Sequence, residues 1–198
     1  ICASSDLDEH LIQSLLAQGA CIDSWGVGTN LITSKDTPAF GGVYKLAAVE
    51  ADGKFVPKIK LSENPVKITN PGNKTIHRIY DKESGKIRGD LIALVGEQFS
   101  EDNPLLLFDP VSTWKKTLLK PGTYTMREIL IPIFQNGQCV YESPSVMDIQ
   151  KYCKQELNTL WEETRRFINP QEVYVDLSNE LWHTKHALLY RFAKGEIQ

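Results

Sequence analysis

No apolar run in this chain approaches the ~20 residues that a membrane-spanning helix requires, and the sequence holds only four cysteines, Cys2, Cys21, Cys139 and Cys153. A helical bilayer span is therefore excluded. No Cys-x-x-Cys spacing occurs, which argues against a structural zinc site. So few cysteines in a chain of this length point to a reducing compartment, the cytoplasm. Excess positive charge is also missing: the formal net charge is −3, so nucleic acid is not a natural partner for the whole chain. Internal repeats and low-complexity stretches are absent. What remains is an ordinary globular composition, 41% apolar and 24% charged, with enough residues for a proper core.

The most informative stretch is Ile22-Asp23-Ser24-Trp25-Gly26-Val27-Gly28-Thr29-Asn30-Leu31. It runs from an apolar strand through a glycine-rich turn to a helix start. Gly26 and Gly28 allow close approach of the backbone to a ligand. The amides of Gly28, Thr29 and Asn30 would be unpaired first-turn donors, the ingredients of a phosphate site, to which Thr29 could add a hydroxyl. A plain strand-to-helix turn that needs glycine for packing is the competing reading.

Upstream, Ile1-Cys2-Ala3 reads as the tail of a buried strand, so the chain is expected to be a portion of a longer protein. Ser5 or Asp6 is the expected N-cap of a helix over 7–18, with Asp6 and Glu9 as a capping-box-like pair and Leu7, Leu11, Ile12, Leu15 and Leu16 on one face. Gly19 is its expected stop. Strand, helix and strand (1–3, 7–18, 20–25) form a βαβ unit with parallel strands. Ligands of such units gather at the carboxyl ends of the strands. Ser4-Ser5-Asp6 and Gly26–Thr29 both lie there and should face one space.

After the loop 33–42 the hydrophobic period changes. Strands are expected over 43–50 and 55–61, joined at Asp52-Gly53, and over 75–80 and 87–95, joined at Ser84-Gly85. Further strands are expected over 105–108, 114–118 and 124–134, with Asn136-Gly137 as a turn. Ser145 should cap a helix carrying Val146, Ile149, Cys153, Leu157, Leu160 and Thr164 on one stripe, ended by Asn169-Pro170. A short strand over 172–176 precedes a last helix, capped by Ser178 and stopped at Gly195. The expected domains are 1–42, 43–142 and 143–198.

Several separated motifs resemble nicotinate phosphoribosyltransferase. They are Ala3-Ser4-Ser5-Asp6-Leu7-Asp8-Glu9, Trp25–Leu31, Gly41-Gly42-Val43-Tyr44-Lys45-Leu46, 62–72, Asn169-Pro170 and Asp176-Leu177-Ser178-Asn179-Glu180-Leu181-Trp182. The resemblance covers nearly the whole chain, which looks like the C-terminal portion of that enzyme. It implies an α/β fold: the final βα units of an irregular type II phosphoribosyltransferase barrel, then a β-rich second domain with C-terminal helices. It implies formation of nicotinate mononucleotide and pyrophosphate from nicotinate and phosphoribosyl pyrophosphate, with coupled ATP hydrolysis, Mg²⁺ at the pyrophosphate, and a homodimer with active sites at the subunit interface.

Carried over by resemblance, Gly26, Val27, Gly28 and Thr29 match the loop that holds the ribose 5-phosphate. Ser5 and Asp6 match the strand end beside phosphate and ribose. Lys45 and Lys60 are similar in position to lysines that reach phosphates from a neighbouring subunit. The family's phosphorylated histidine and nicotinate-binding arginine would lie upstream of Ile1; none of His10, His77, His183 and His186 matches that histidine. This segment should therefore hold no catalytic residue, supply one wall of a site, and be inactive alone.

Bland readings stand beside these. Nine basic residues between Lys54 and Arg88, opposed by Glu63, Asp81 and Glu83, make either an electropositive flank for pyrophosphate or a solvated hairpin face. Lys45, expected within an apolar strand, is the one for which an anion partner is most needed. Asp6 could orient ribose or help hold Mg²⁺, or could simply cap its helix. Trp114, Trp161 and Trp182 read as core or interface. His183 and His186 have a metal-compatible spacing but no third ligand in view. A non-catalytic structural or interaction domain is the alternative to an enzyme. A different phosphate-binding barrel, such as a flavin enzyme, is disfavoured by the long β-rich extension.

Overall fold

The computed structural model describes residues 1–39 and 41–196. They fall into two compact units, Ile1–Tyr44 and Lys45–Gln198. Among the described residues no helix is long and apolar enough to cross a membrane.

The first unit is a βαβα segment: β1 (Cys2–Ser4), α1 (Glu9–Ala17), β2 (Ser24–Gly26) and α2 (Thr29–Ile32). β1 and β2 are parallel, with Cys2 opposite Ser24 and Ser4 opposite Gly26, as the crossover through α1 requires. Gly19, with φ +81°, ends α1 as expected. The N-cap differs from expectation. Ser5 and Asp6 both take positive φ, +83° and +43°, and so form a turn rather than a cap. That turn buries Leu7, and the cap passes to Asp8, whose carboxylate accepts from the Leu11 amide at 2.7 Å.

The second unit is built on a mixed four-stranded sheet. β3 (Ala48–Ala51) and β4 (Lys54–Pro57) form a separate hairpin ahead of it. Asp52 and Gly53 turn that hairpin with positive φ, +52° and +71°, the requirement of a type I′ turn. The sheet consists of β5 (Lys74–Asp81), β6 (Ile87–Leu94), β9 (Tyr124–Glu128) and β12 (Val175–Leu177), in the order β12-β6-β5-β9. β5 pairs antiparallel with β6 and β9, while β12 runs parallel to β6. Between β6 and β9 lies the hairpin β7 (Leu105–Phe108) and β8 (Lys116–Leu119). Asn136-Gly137 turns the short hairpin β10 (Phe134–Gln135) and β11 (Gln138–Cys139). Two helices complete the unit, α3 (Val146–Thr159) and α4 (Asn179–Ala193).

Alternation along β6 sends Ile87, Gly89, Leu91 and Ala93 to one buried face. Leu91 joins Ile79, Tyr124 and the hairpin residues Leu105, Leu107 and Leu119 in one core, with Phe99 and Met126 packed against it. Each of these leucines is worth about 1.5–3 kcal/mol by burial alone. The Tyr124 hydroxyl is satisfied at the carbonyls of Ser100 and Asn103, both at 2.9 Å. Two glycines sit at close approaches, and Gly72 also takes φ +90°. A Cβ on Gly89 would stand 3.2 Å from the Tyr174 carbonyl oxygen, and one on Gly72 only 2.5 Å from Leu94 Cδ2.

Several strands are shorter than the hydrophobic pattern suggests. The segment 43–50 becomes a strand only from Ala48, and 55–61 only to Pro57. The Lys58 amide donates to the Ala47 carbonyl at 2.8 Å, and the Gly72 amide takes the same oxygen at 2.7 Å, so the ladder finds no partner further out among the described residues. The segment 124–134 breaks after Glu128, 114–118 is ordered as Lys116–Leu119, and 172–176 as Val175–Leu177. Ser145 and Ser178 cap α3 and α4 through bonds to the Asp148 and Leu181 amides. α3, however, stops at Thr159, before Thr164. The Lys86 ammonium donates to the carbonyls of Asn158 and Leu160 at 2.8 and 2.9 Å, satisfying that helix end.

Candidate functional site

In the first unit, β1 and β2 are parallel neighbours, so both of their carboxyl ends open on one side. The turn after β2 carries Gly26, Val27, Gly28 and Thr29; the turn after β1 carries Ser5 and Asp6. The Asn30 side chain ties the two together. Its amide nitrogen donates to the Leu7 carbonyl at 3.0 Å and to the Asp6 carbonyl at 3.3 Å. Ser5, Asp6 and the glycine turn are thus brought together. The sequence marks Asn30 as a backbone donor alone; the positioning role of its side chain has no local signal.

The two glycines of the turn serve different ends. A Cβ on Gly26 would press against Ser4 Cβ at 3.3 Å, so Gly26 favours close strand packing. At Gly28, φ is −103° and ψ −112°, a pairing outside the regions that side-chain-bearing residues favour, while an added Cβ would meet nothing within 4 Å. Protein packing in this unit does not demand glycine there. Gly28 takes the N-cap position of α2 without a side-chain cap. Its carbonyl accepts from the Leu31 and Ile32 amides at 3.1 Å, whereas the amides of Gly28, Thr29 and Asn30 find no acceptor among the described residues. Gly28 and Thr29 are exposed. Chemically, the turn offers adjacent bare amides and a hydroxyl to an anion, with one wall formed by two residues at strained positive φ, Ser5 and Asp6.

Lys45 and Lys60 belong to the second unit. Lys45 is exposed and outside any strand, not held within an apolar one; the pairing of β3 does not reach it. Lys60 is exposed too, and its amide donates to Thr69 Oγ1 at 2.9 Å. Three members of the basic stretch have partners inside the fold. Arg78 makes a two-pronged pair with Asp90, both bonds at 2.8 Å, which raises its pKa above the ordinary arginine value. Lys74 donates to the Gly72 carbonyl at 2.6 Å, its pKa lowered by burial. Lys86 holds the end of α3. Lys54, Lys58, Lys60, Lys67, Lys82 and Arg88 are exposed.

The histidine pair on α4 is not arranged as ligands. His186 stacks on Trp182 with ring centroids 3.7 Å apart, and its Nδ1 lies 2.8 Å from the Trp182 carbonyl. Trp182, partly buried, also packs edge-on against Phe108 and donates to the Pro110 carbonyl at 3.0 Å, where a core or interface position is expected. Trp161 donates to the Ile87 carbonyl at 2.7 Å, while Trp114 is exposed. Among the described residues, Glu9, His10 and Asp36 alone bring three potential ligand atoms within 4.8 Å; all three are exposed. Asp6 belongs to no such group.

The family model for the nicotinate phosphoribosyltransferase C-terminal domain matches residues 73–185. The chain is 46% identical over 185 residues to the nicotinate phosphoribosyltransferase of Bacillus subtilis (strain 168), an alignment covering 93% of this chain and 37% of that protein. Its identity to the Dictyostelium discoideum enzyme of the same name is 34%, over 95% of this chain and 32% of the relative. The crystal structure of human nicotinic acid phosphoribosyltransferase superposes with a TM-score of 0.68 at 25% identity, over 96% of this chain and 33% of that one. The chain spans about a third of the length of these relatives. With a family model matched over more than half of its residues, on a mixed α/β, β-rich fold, the chain belongs to the nicotinate phosphoribosyltransferase family.

Proposed function

We propose that this chain supplies the 5-phosphate-binding wall of a nicotinate phosphoribosyltransferase acting in NAD biosynthesis. The reaction joins nicotinate to phosphoribosyl pyrophosphate, yielding nicotinate mononucleotide and pyrophosphate, with coupled ATP hydrolysis. The observation that carries this reading is the open turn at Gly28-Thr29-Asn30, with three adjacent amides lacking protein acceptors among the described residues in a chain of that family. Holding the terminal phosphate fixes the sugar so that binding energy remote from the anomeric carbon positions the reacting bond. Val27 shapes the turn, Thr29 adds a hydroxyl donor, and Asn30 keeps the Ser5-Asp6 turn beside it.

The histidine and arginine that the family uses for ATP coupling and nicotinate binding are not among these residues in this reading, so the segment alone is inactive. Lys45 and Lys60, exposed and without ion pairs among the described residues, are proposed to meet phosphates across a homodimer interface. Mg²⁺ belongs to the proposal through the family alone. Among the described residues Asp6 offers one carboxylate and belongs to no group of three ligands. A cytoplasmic location is part of the same proposal.

Kinetics of the full-length enzyme test it. Thr29→Val removes one hydrogen bond to a charged group, ~1.5–3 kcal/mol, and should lower kcat/KM for phosphoribosyl pyrophosphate about 10- to 100-fold. Thr29→Ser should restore most of it, and the KM for nicotinate should hardly move. Unchanged constants for Thr29→Val would return the turn to a purely architectural role.

A further inference from the structure

A cavity of about 730 Å³ opens in the second unit between β6, the β7–β8 hairpin and the segment 160–176. That volume is in the range of small-molecule sites, far beyond one water or one ion. Its walls are held in place. Trp161 is anchored to the Ile87 carbonyl, and the Gln171 amide bonds the Glu163 carbonyl at 2.9 Å.

Asp176 lines this cavity and is only 7% exposed. Among the described residues no hydrogen bond or ion pair reaches its carboxylate. Asp109 lines the same space. One of its oxygens accepts the amides of Val111 and Ser112 at 2.8 and 2.7 Å, which holds its pKa below the usual carboxylate range. The other oxygen makes no hydrogen bond among the described residues. Burial and the Asp109 charge together push the Asp176 pKa up. The side chain is mostly enclosed, yet its carboxylate oxygens are not sealed off from the cavity, so a group entering that space can meet a carboxylate that no protein donor occupies among the described residues.

Two features narrow what could fill it. Trp161 and Tyr174 contribute aromatic surface to the walls, which suits an organic cation. Arg88, Lys115 and Lys116 line the space as well, yet none forms an ion pair with Asp176. Glu163 and Glu172 line it too, so the walls carry carboxylates and cations side by side, and a zwitterion would satisfy both sets. A metal ion is disfavoured, since no third ligand stands close to the two aspartates among the described residues.

We propose that this cavity binds a small zwitterion whose guanidinium or primary ammonium group sits against Asp176 and Asp109 and whose anionic group faces Arg88 and Lys115. The site is independent of the phosphate turn, and its failure would leave that reading untouched.

Calorimetric titration of the full-length protein tests it with three probes: arginine, agmatine and citrulline. Arginine should bind with a sub-millimolar Kd. Agmatine, lacking the carboxylate, should bind at least threefold more weakly, and citrulline, lacking the charge, at least tenfold more weakly. Asp176→Asn and Asp109→Asn each preserve volume, and the side-chain carbonyl introduced by Asp109→Asn could still accept the two turn amides. Each variant should weaken arginine binding at least tenfold while the protein stays folded. No heat from arginine or agmatine at millimolar concentration would overturn the proposal. So would equal binding of arginine and citrulline, or undiminished binding by a folded Asp176→Asn protein.

Discussion

Asp176 shows at the scale of a single residue how a buried charge sets pH dependence. Its pKa is raised, first by burial and then by the Asp109 charge. Between the ordinary carboxyl value and the raised one, the native state binds more protons than the unfolded chain. Stability therefore falls as pH rises through that window, the reverse of a salt-bridged aspartate. Above the raised value the penalty is fully present. Asp176→Asn should accordingly raise the melting temperature at neutral pH and leave it nearly unchanged at acidic pH, read by thermal denaturation across the range. Lower stability of the variant at neutral pH would mean that the carboxylate is satisfied after all. Residue-scale reading of the sequence fares unevenly here. Ser145 and Ser178 are legible as helix caps because each precedes an apolar-periodic run. Asp6 is not separable from Asp8, because the positive φ values at Ser5 and Asp6 leave no compositional trace. Asp176 sits in a recognised motif, but its burial against Asp109 depends on tertiary packing that no local pattern encodes.

At the scale of elements, the turns are the most legible part of the fold. Asp52-Gly53, Ser84-Gly85 and Asn136-Gly137 all sit between paired strands, since few residues tolerate their backbone angles. Strand lengths are less legible, because the residues around Lys45 are as apolar as a strand but find no strand partner among the described residues. The helix α3 depends on charge for its attachment. Glu156 reaches Arg127 at 2.9 and 3.0 Å and Arg78 at 3.4 Å, and Arg78 is itself locked to Asp90. Most apolar side chains of α3 are exposed, among them Val146, Met147, Ile149 and Tyr152. Glu156→Ala should therefore free α3 more than it destabilises the sheet. The expected cost is about 1–2 kcal/mol, discounted for partial exposure. Hydrogen exchange should report it as faster exchange of α3 amides, with protection in β5 and β6 retained. Equal loss of protection in both would show that α3 and the sheet open together.

At the scale of the whole molecule, the chain divides into a βαβα unit carrying the turn proposed to hold phosphate and a β-rich unit carrying the cavity proposed to hold a zwitterion. The family is legible from motifs lying in both units, from Trp25–Leu31 to Asp176–Trp182. Which atoms would face a ligand is not, because Gly26 and Gly28 are alike in sequence and differ in backbone and surroundings: Gly26 is extended and packs on Ser4, whereas Gly28 has ψ −112° and an added Cβ there would meet nothing within 4 Å. The most direct measurement is a crystal structure of the full-length enzyme with ribose 5-phosphate bound. The phosphate oxygens are predicted to lie ~2.7–3.2 Å from the Gly28 and Thr29 amides and from Thr29 Oγ1. A phosphate held elsewhere, with those amides turned to protein or to bulk water, would contradict it.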